Sequence, residues 1–405
     1  MRRIKKIFEK LLINPSRFFI YYLIYLFPRD NKKWVFGSGV GMNFSDNAKY
    51  LFLYCSQQSE IKSYWISHDK AIIKRLRAQN LHAYYAYSIK GLWLTITSGV
   101  YIYDSEASAI NYWTSAGVYK VNLWHGSPLK KINLDIKNPN NPFFIGNYTY
   151  GIKRYLVRLL MPQWFAVAEL MIATSEKVRG YFKSAFDSPN IEVTGYPRND
   201  IITKPNLYAK YLGFEQEIVA SITTKKTILY APTFRDTNRF NRETPIDWER
   251  LNDLLKENNT TFLIKLHRHD YSMVMKEEYS NIRVLDNESD MYPLFAKVDL
   301  LITDYSSIFF DFLLTDKPVL FYPYDKDTYL TQDRSMYDDY ELVTPGHKAY
   351  NFEELYTKLK DFFNNPEIMK ESAVDYNRIK SLYNSFTDSK SSERTYCCIK
   401  EKINI

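Results

Sequence analysis

Two kinds of apolar pattern alternate along this chain. Short runs rich in β-branched and aromatic residues are followed, from residue 33 onward, by longer stretches whose apolar positions recur at helical spacing. The short runs predict strands at 33–37, 61–66, 99–103, 119–124, 170–174 and 191–194, then at 226–230, 261–266, 282–285, 298–303 and 318–322. Helical patterns fall between most of them, including 45–57, 69–79, 175–185, 247–257 and 305–314. Strands alternating with helices predict parallel sheets built from βαβ units. The series divides in two at Thr194-Gly195-Tyr196-Pro197-Arg198-Asn199-Asp200 and the Lys204-Pro205-Asn206 that follows. The expected fold class is α/β, with two Rossmann-like domains facing across a cleft. The first spans 33–203; the second, with the C-terminal helices, spans 204–405.

Residues 1–32 follow a different pattern. Ile4, Ile7, Phe8, Leu11 and Leu12 recur at helical spacing, with Arg2, Arg3, Lys5, Lys6 and Lys10 between them. An apolar stretch at 18–27 comes next. As a helix it would span about 15 Å, half of a bilayer core of roughly 30 Å. Pro28-Arg29-Asp30 follows it instead of a small-residue cleavage site. This outline predicts a segment lying on an anionic membrane surface, bases at the head groups and rings in the interface. A helix packed on the body with a solvated basic face is the alternative.

Charge supports that division. The chain carries 54 basic and 46 acidic residues, yet the first 33 hold nine bases against two acids. The body is therefore nearly neutral, which argues against a nucleic-acid-binding face. A composition of 45% apolar and 25% charged residues excludes a disordered or polytopic membrane chain. Cys55, Cys397 and Cys398 can build neither a disulfide framework nor a four-cysteine zinc site, which fits a reducing compartment.

Ligands of open parallel sheets sit at the carboxyl ends of strands, so residues just past each run are the candidates. Trp124-His125-Gly126-Ser127-Pro128 places a histidine there, suited to accepting a proton near neutral pH, with a glycine that permits close approach. A hydrogen-bonded structural histidine is the other reading. Thr303-Asp304-Tyr305-Ser306-Ser307 leads into a helix whose start can hold an anion or simply be capped by Asp304 or Ser306. Lys265, His267, Arg268 and His269 gather donors at another strand end. Without a third ligand motif, they favour phosphate stabilisation over a metal. Arg235, in Ala231-Pro232-Thr233-Phe234-Arg235-Asp236, offers a planar fork for phosphate. Asp325-Lys326-Asp327 reads as a solvated loop, and Gly37-Ser38-Gly39-Val40-Gly41 as a weak glycine loop.

W-H-G-S-P-L-K, T-G-Y-P-R-N-D, Y-A-P-T-F-R-D, K-L-H, L-L-I-T-D-Y-S-S-I-F-F-D-F and R-S-M-Y-D-D-Y-E-L-V-T-P-G stand in this order between about residues 33 and 375. In this the chain resembles the CDP-glycerol glycerophosphotransferase family of teichoic acid and phosphopolyol capsule synthesis. The resemblance implies a GT-B-like fold and transfer of glycerol phosphate, or a related polyol phosphate, from a CDP-activated donor. The acceptor it implies is lipid-linked or polymeric, and the site of action is the cytoplasmic face of the bacterial cell membrane. His125 and His267 correspond to the family's catalytic histidines, and Ser306 and Ser307 to the hydroxyls that hold the donor diphosphate. Arg235 and Arg268 are expected to assist them, and Gly126, Asp304, Asp311 and Arg198 fall in family motifs. Arg268 departs from the pattern, which usually has proline there. The expectation includes no obligatory cofactor, no metal and no nucleic acid, and it leaves self-association open. The alternatives are a GT-B glycosyltransferase using a nucleotide sugar and a CDP-ribitol-dependent transferase.

Overall fold

The computed structural model describes residues 19–138, 155, 167–233, 246–266, 279–286, 290–332, 335–370 and 373–405. The basic residues Arg2, Arg3, Lys5, Lys6 and Lys10, together with Arg235, His267 and Arg268, lie outside the described residues.

Two parallel sheets organise the chain. The first contains β1 (Asp30–Gly37), β2 (Lys62–Ser67), β3 (Ala83–Tyr85), β4 (Ser98–Tyr103), β5 (Tyr119–Asn122), β6 (Leu170–Ala173) and β7 (Ile191–Val193), in the order β3-β2-β1-β4-β5-β6-β7. The second contains β8 (Lys226–Ala231), β9 (Thr260–Lys265), β10 (Ile282–Leu285), β11 (Leu300–Thr303), β12 (Val319–Phe321) and β13 (His347–Lys348), in the order β10-β9-β8-β11-β12-β13. Every strand pairing within the two ladders is parallel. The central strands are buried on both faces, as their continuous apolar runs require. No helix among the described residues is long and apolar enough to cross a membrane.

Each sheet reverses its strand order once, between β1 and β4 and between β8 and β11. Such a switch point opens a crevice at the carboxyl ends, and in both lobes an aspartate just past the second strand bridges it. Asp104 accepts from Ser38 Oγ at 2.5 Å and Gly39 N at 3.3 Å. Asp304 accepts from Thr233 N at 2.8 Å.

Five helices position the site: α1 (Asp46–Cys55), α2 (Glu176–Ala185), α3 (Asn199–Thr203), α4 (Ile308–Phe312) and α5 (Ser391–Lys402). The run expected to be helical at 305–314 begins only at Ile308, which leaves Ser306 and Ser307 in the turn before it. The last helix, grouped by sequence with the second domain, packs on the first sheet instead. Ring centroids of Tyr396 lie 5.5 Å from Trp34 and 5.7 Å from Tyr54, and Ile399 and Ile403 join the same core. The carboxylate of Asp200 receives the N–H groups of Ser391 and Ser392 at 2.7 and 2.8 Å. An anion at a helix start satisfies donors that have no partner within the helix.

Arg29, one of the nine bases in the first 33 residues, is folded into the first lobe. Its guanidinium donates to the carbonyls of Thr95, Ser98, Thr114 and Ala116. The helical turns before it expose Phe19, Ile20, Tyr22, Leu23, Tyr25, Leu26 and Phe27, whereas Ile24 is buried and Tyr21 stacks on Tyr112 at 5.3 Å.

Candidate active site

β5 ends at Asn122, two residues before the predicted strand does, because Trp124 takes a left-handed backbone conformation with φ +52°. Such a conformation costs a non-glycine residue about 1–3 kcal/mol and persists only where its surroundings impose it. Here the side chain of Asn122 accepts from Trp124 N at 2.9 Å, and Asn47 Nδ2 donates to the Trp124 carbonyl at 2.8 Å. The Trp124 ring is wedged against Phe186 at 4.7 Å and lies 4.2 Å from the His125 ring. Val40 (φ +51°) and Asp46 (φ +62°) are also left-handed non-glycine residues. Val40 belongs to the loop that Asp104 holds, and Asp46 reaches the His125 segment through Arg198.

The turn at Trp124 directs His125 outward, and its side chain is exposed. His125 Nδ1 lies 3.0 Å from the carbonyl oxygen of Asp104. A carbonyl can only accept, so the neutral ring carries its proton on Nδ1 and keeps the lone pair of Nε2 free. Although the residue is exposed, the protein crowded against the imidazole, including the Trp124 ring 4.2 Å away, removes part of its hydration and lowers its pKa; Arg198 adds to the drop, while Asp46 and the Asp104 carbonyl oppose it. The ring is therefore neutral at pH 7, the form that takes up a proton. The Asp104 carboxyl is pushed up to about 7 by burial, with Asp46 adding to the rise.

Gly126 shows how the second lobe meets the first. A Cβ at this position would lie 2.8 Å from Ser307 Oγ and 3.9 Å from Arg198 Nη2. The absence of a side chain at Gly126 is what brings the serine turn beside the histidine. Ser306 Oγ accepts weakly from Ile308 N at 3.5 Å, and both serines stay partly exposed. Asp304 is buried and accepts from Thr233 N and Tyr305 N, so it fixes the turn.

Arg198 and Asp311 lie directly beneath, both buried. Arg198 Nη2 meets Asp311 Oδ2 at 2.6 Å, while Nη1 donates to Asp46 Oδ1 at 2.7 Å and to the His125 carbonyl at 2.9 Å. The motif that holds His125 also joins the motif at 334–346 across the lobes. Lys130 pairs antiparallel with Met336, and Tyr337 N donates to the Leu129 carbonyl at 3.1 Å. Asp338, from the second lobe, is held by Lys177 at 3.0 Å, Tyr383 at 2.6 Å and Tyr181.

His125, Gly126, Arg198, Asp304, Ser306, Ser307 and Asp311 thus come together at one junction. Asp325, from the D-x-D run, accepts from Tyr305 OH at 3.0 Å, in place of the free solvated loop expected there. Sequence reasoning passed over Asp46, Asn47 and Asp104. It also missed Lys49, buried with Nζ at 2.9 Å from both Glu215 and Asp290 of the second half.

Comparison with known proteins agrees with this arrangement. The family model described as CDP-Glycerol:Poly(glycerophosphate) glycerophosphotransferase matches residues 19–401. A teichoic acid poly(glycerol phosphate) polymerase of Bacillus spizizenii is 29% identical over 338 residues, covering 81% of this chain and 82% of its own. A teichoic acid glycerol-phosphate transferase of Staphylococcus aureus is 28% identical over 407 residues, covering 95% and 97%. In fold, the chain resembles the wall teichoic acid polymerase TagF, which has a GT-B-like architecture, with a TM-score of 0.76 at 24% identity over 98% of both chains. The match along nearly the whole chain, with the family motifs converging on one interlobe junction, places this protein in the CDP-glycerol:poly(glycerophosphate) glycerophosphotransferase family.

Proposed function

We propose that the protein transfers glycerol phosphate from CDP-glycerol to a hydroxyl of a lipid-linked or polymeric acceptor in teichoic acid synthesis, releasing CMP. The observation that carries this reading is the approach of Ser307 in the second lobe to Gly126, next to His125 in the first. The acceptor oxygen attacks the phosphorus that bears glycerol. Its proton passes to His125 Nε2, the new O–P bond forms, and the bond to CMP breaks. Ser306 and Ser307 hold the donor diphosphate. His267, Arg268 and Arg235 keep the roles that the resemblance implies, neutralising the phosphoryl oxygens and the leaving phosphate. A donor panel tests the reading. The expected result is CMP from CDP-glycerol in the presence of acceptor. Turnover with CDP-ribitol alone would change the donor, and release of a nucleoside diphosphate from a nucleotide sugar would replace the reaction.

Gly126→Ala should displace the Ser307 hydroxyl, because serine is the nearest group that can give way. Losing a hydrogen bond to a charged group is worth about 1.5–3 kcal/mol. The KM for CDP-glycerol should therefore rise about tenfold or more while the melting temperature stays close to wild type. An unchanged KM would remove Ser307 from the donor site.

The protein is proposed to work at the cytoplasmic face of the cell membrane, as a peripheral enzyme. The exposed Phe19 and Leu26, 70% and 79% accessible, support this reading because they follow a basic amphipathic stretch. Truncation before β1 would also remove Arg29 and the Tyr21–Tyr112 stack, so paired substitution is the cleaner test. Phe19→Glu with Leu26→Glu should abolish co-sedimentation with anionic vesicles and leave thermal stability unchanged. Undiminished sedimentation would count against this surface.

A further inference from the structure

We propose that Arg198 is a positioning residue that sets His125 against the Ser306–Ser307 turn and so couples the two lobes' contributions to the site. This inference rests on the reading of His125 as the proton acceptor.

One guanidinium reaches three separate pieces of chain. It binds Asp46 at the start of α1 (2.7 Å), the His125 carbonyl beyond β5 (2.9 Å) and Asp311 in α4 of the other lobe (2.6 Å). Tyr196 and Tyr292 lie over it, 5.0 and 4.6 Å from its centre to their rings, and Tyr292 OH also donates to Asp311 at 3.2 Å. The fork is thus locked in plane and direction, a geometry that a lysine's single point charge cannot reproduce.

What it holds is the strained segment. Asn122 and Asn47 fix the peptides on either side of Trp124, and Arg198 fixes the next carbonyl, that of His125. With that bond removed, the segment around the left-handed Trp124 loses one of its three backbone hydrogen bonds, and the His125 ring is left to its contacts with the Asp104 carbonyl and the Trp124 ring. The same guanidinium is tied to α4 four residues beyond Ser307. A displacement of about 1 Å in a reacting group is enough to cost roughly 10²-fold in rate, so this clasp acts on turnover more than on donor binding.

Charge gives a second, independent readout. Among the described residues, the charged and titratable groups acting on His125 are Asp46, Asp104 and Arg198, and those around Arg198 are Asp46, Asp311, Tyr196 and Tyr292. Arg198 works against protonation of the imidazole, and Asp46 favours it. Replacing Arg198 with methionine removes the opposing charge and leaves Asp46 uncompensated. Both changes push the His125 titration upward.

The test labels histidine Cε1 with ¹³C in the full chain and follows the His125 resonance, assigned by its loss in His125→Gln. Arg198→Met should raise the His125 midpoint by about one pH unit and lower kcat with CDP-glycerol at least tenfold, with KM changed less than threefold. Arg198→Lys should keep the wild-type midpoint and still lose turnover. A folded Arg198→Met with an unmoved midpoint, or with its loss confined to KM, would overturn the proposal. If Arg198→Met does not fold, Arg198→Lys decides: turnover retained at the wild-type level overturns it. The titration needs no substrate, so an error in the donor would stop the kinetic arm without touching the titration.

Discussion

Replacing His125 with alanine should lower turnover by about 10²–10⁴-fold while the protein stays folded. The two halves of that expectation have different causes. The ring is exposed, and its Nδ1 is hydrogen-bonded to one backbone carbonyl, that of Asp104. Losing one such bond costs about 0.5–1.5 kcal/mol of stability, and the Trp124 wedge against Phe186 is left in place. In the mechanism proposed above, the kinetic effect is larger because the lone pair on Nε2 takes the proton of the acceptor hydroxyl. Low pKa and fixed tautomer keep that lone pair available at pH 7. Steady-state CMP release under saturating CDP-glycerol measures it. Turnover near that of the wild type would take the base role away from His125.

Lys49→Met should destabilise the protein by about 3–5 kcal/mol at pH 7, because it leaves two carboxylates buried without their cation. Lys49 and Asp290 are 1% and 2% exposed and Glu215 is 10% exposed, so water cannot take over the lysine's part. Asp290 keeps Tyr50 OH at 2.7 Å and the N–H of Tyr292 at 3.2 Å, but Glu215 loses a charged partner outright. The pH dependence has a definite sign. Burial alone would raise the Asp290 pKa, and Lys49, with help from Tyr50, holds it below the ordinary carboxylate value. In the variant that restraint is gone, Asp290 protonates more readily, and the deficit shrinks as pH falls. Urea titrations at pH 7 and pH 5 should show a smaller difference from wild type at pH 5. A variant as stable as wild type at pH 7 would contradict the account. As a contrast, Arg250→Met removes an exposed pair with Glu353 and should leave stability close to wild type.

The sequence exposes some of these features directly and conceals others for physical reasons. Alternating strand and helix patterns reveal two parallel sheets, and the rule that ligands gather at strand ends points straight to His125 and to Ser306-Ser307. Asp104 follows β4 just as His125 follows β5, but its importance depends on β1 lying beside β4, an adjacency that the strand pattern alone does not specify. Lys49 lies within a helix whose neighbours from Asn47 to Leu53 are all buried. A lone lysine there reads as a gap in the apolar pattern, and its partners stand 166 and 241 residues away. The last helix has too weak a pattern to show which sheet it covers; Asp200 and the Trp34–Tyr396 contact settle that only in three dimensions.

The most direct test of the account is to count CMP released against phosphodiester bonds formed, by nucleotide chromatography and ³¹P NMR of the acceptor. Purified protein with CDP-glycerol and acceptor should yield one new phosphodiester per CMP, and His125→Ala should lose both in step. CMP accompanied by free glycerol phosphate, or release of a nucleoside diphosphate in its place, would contradict the transfer described here.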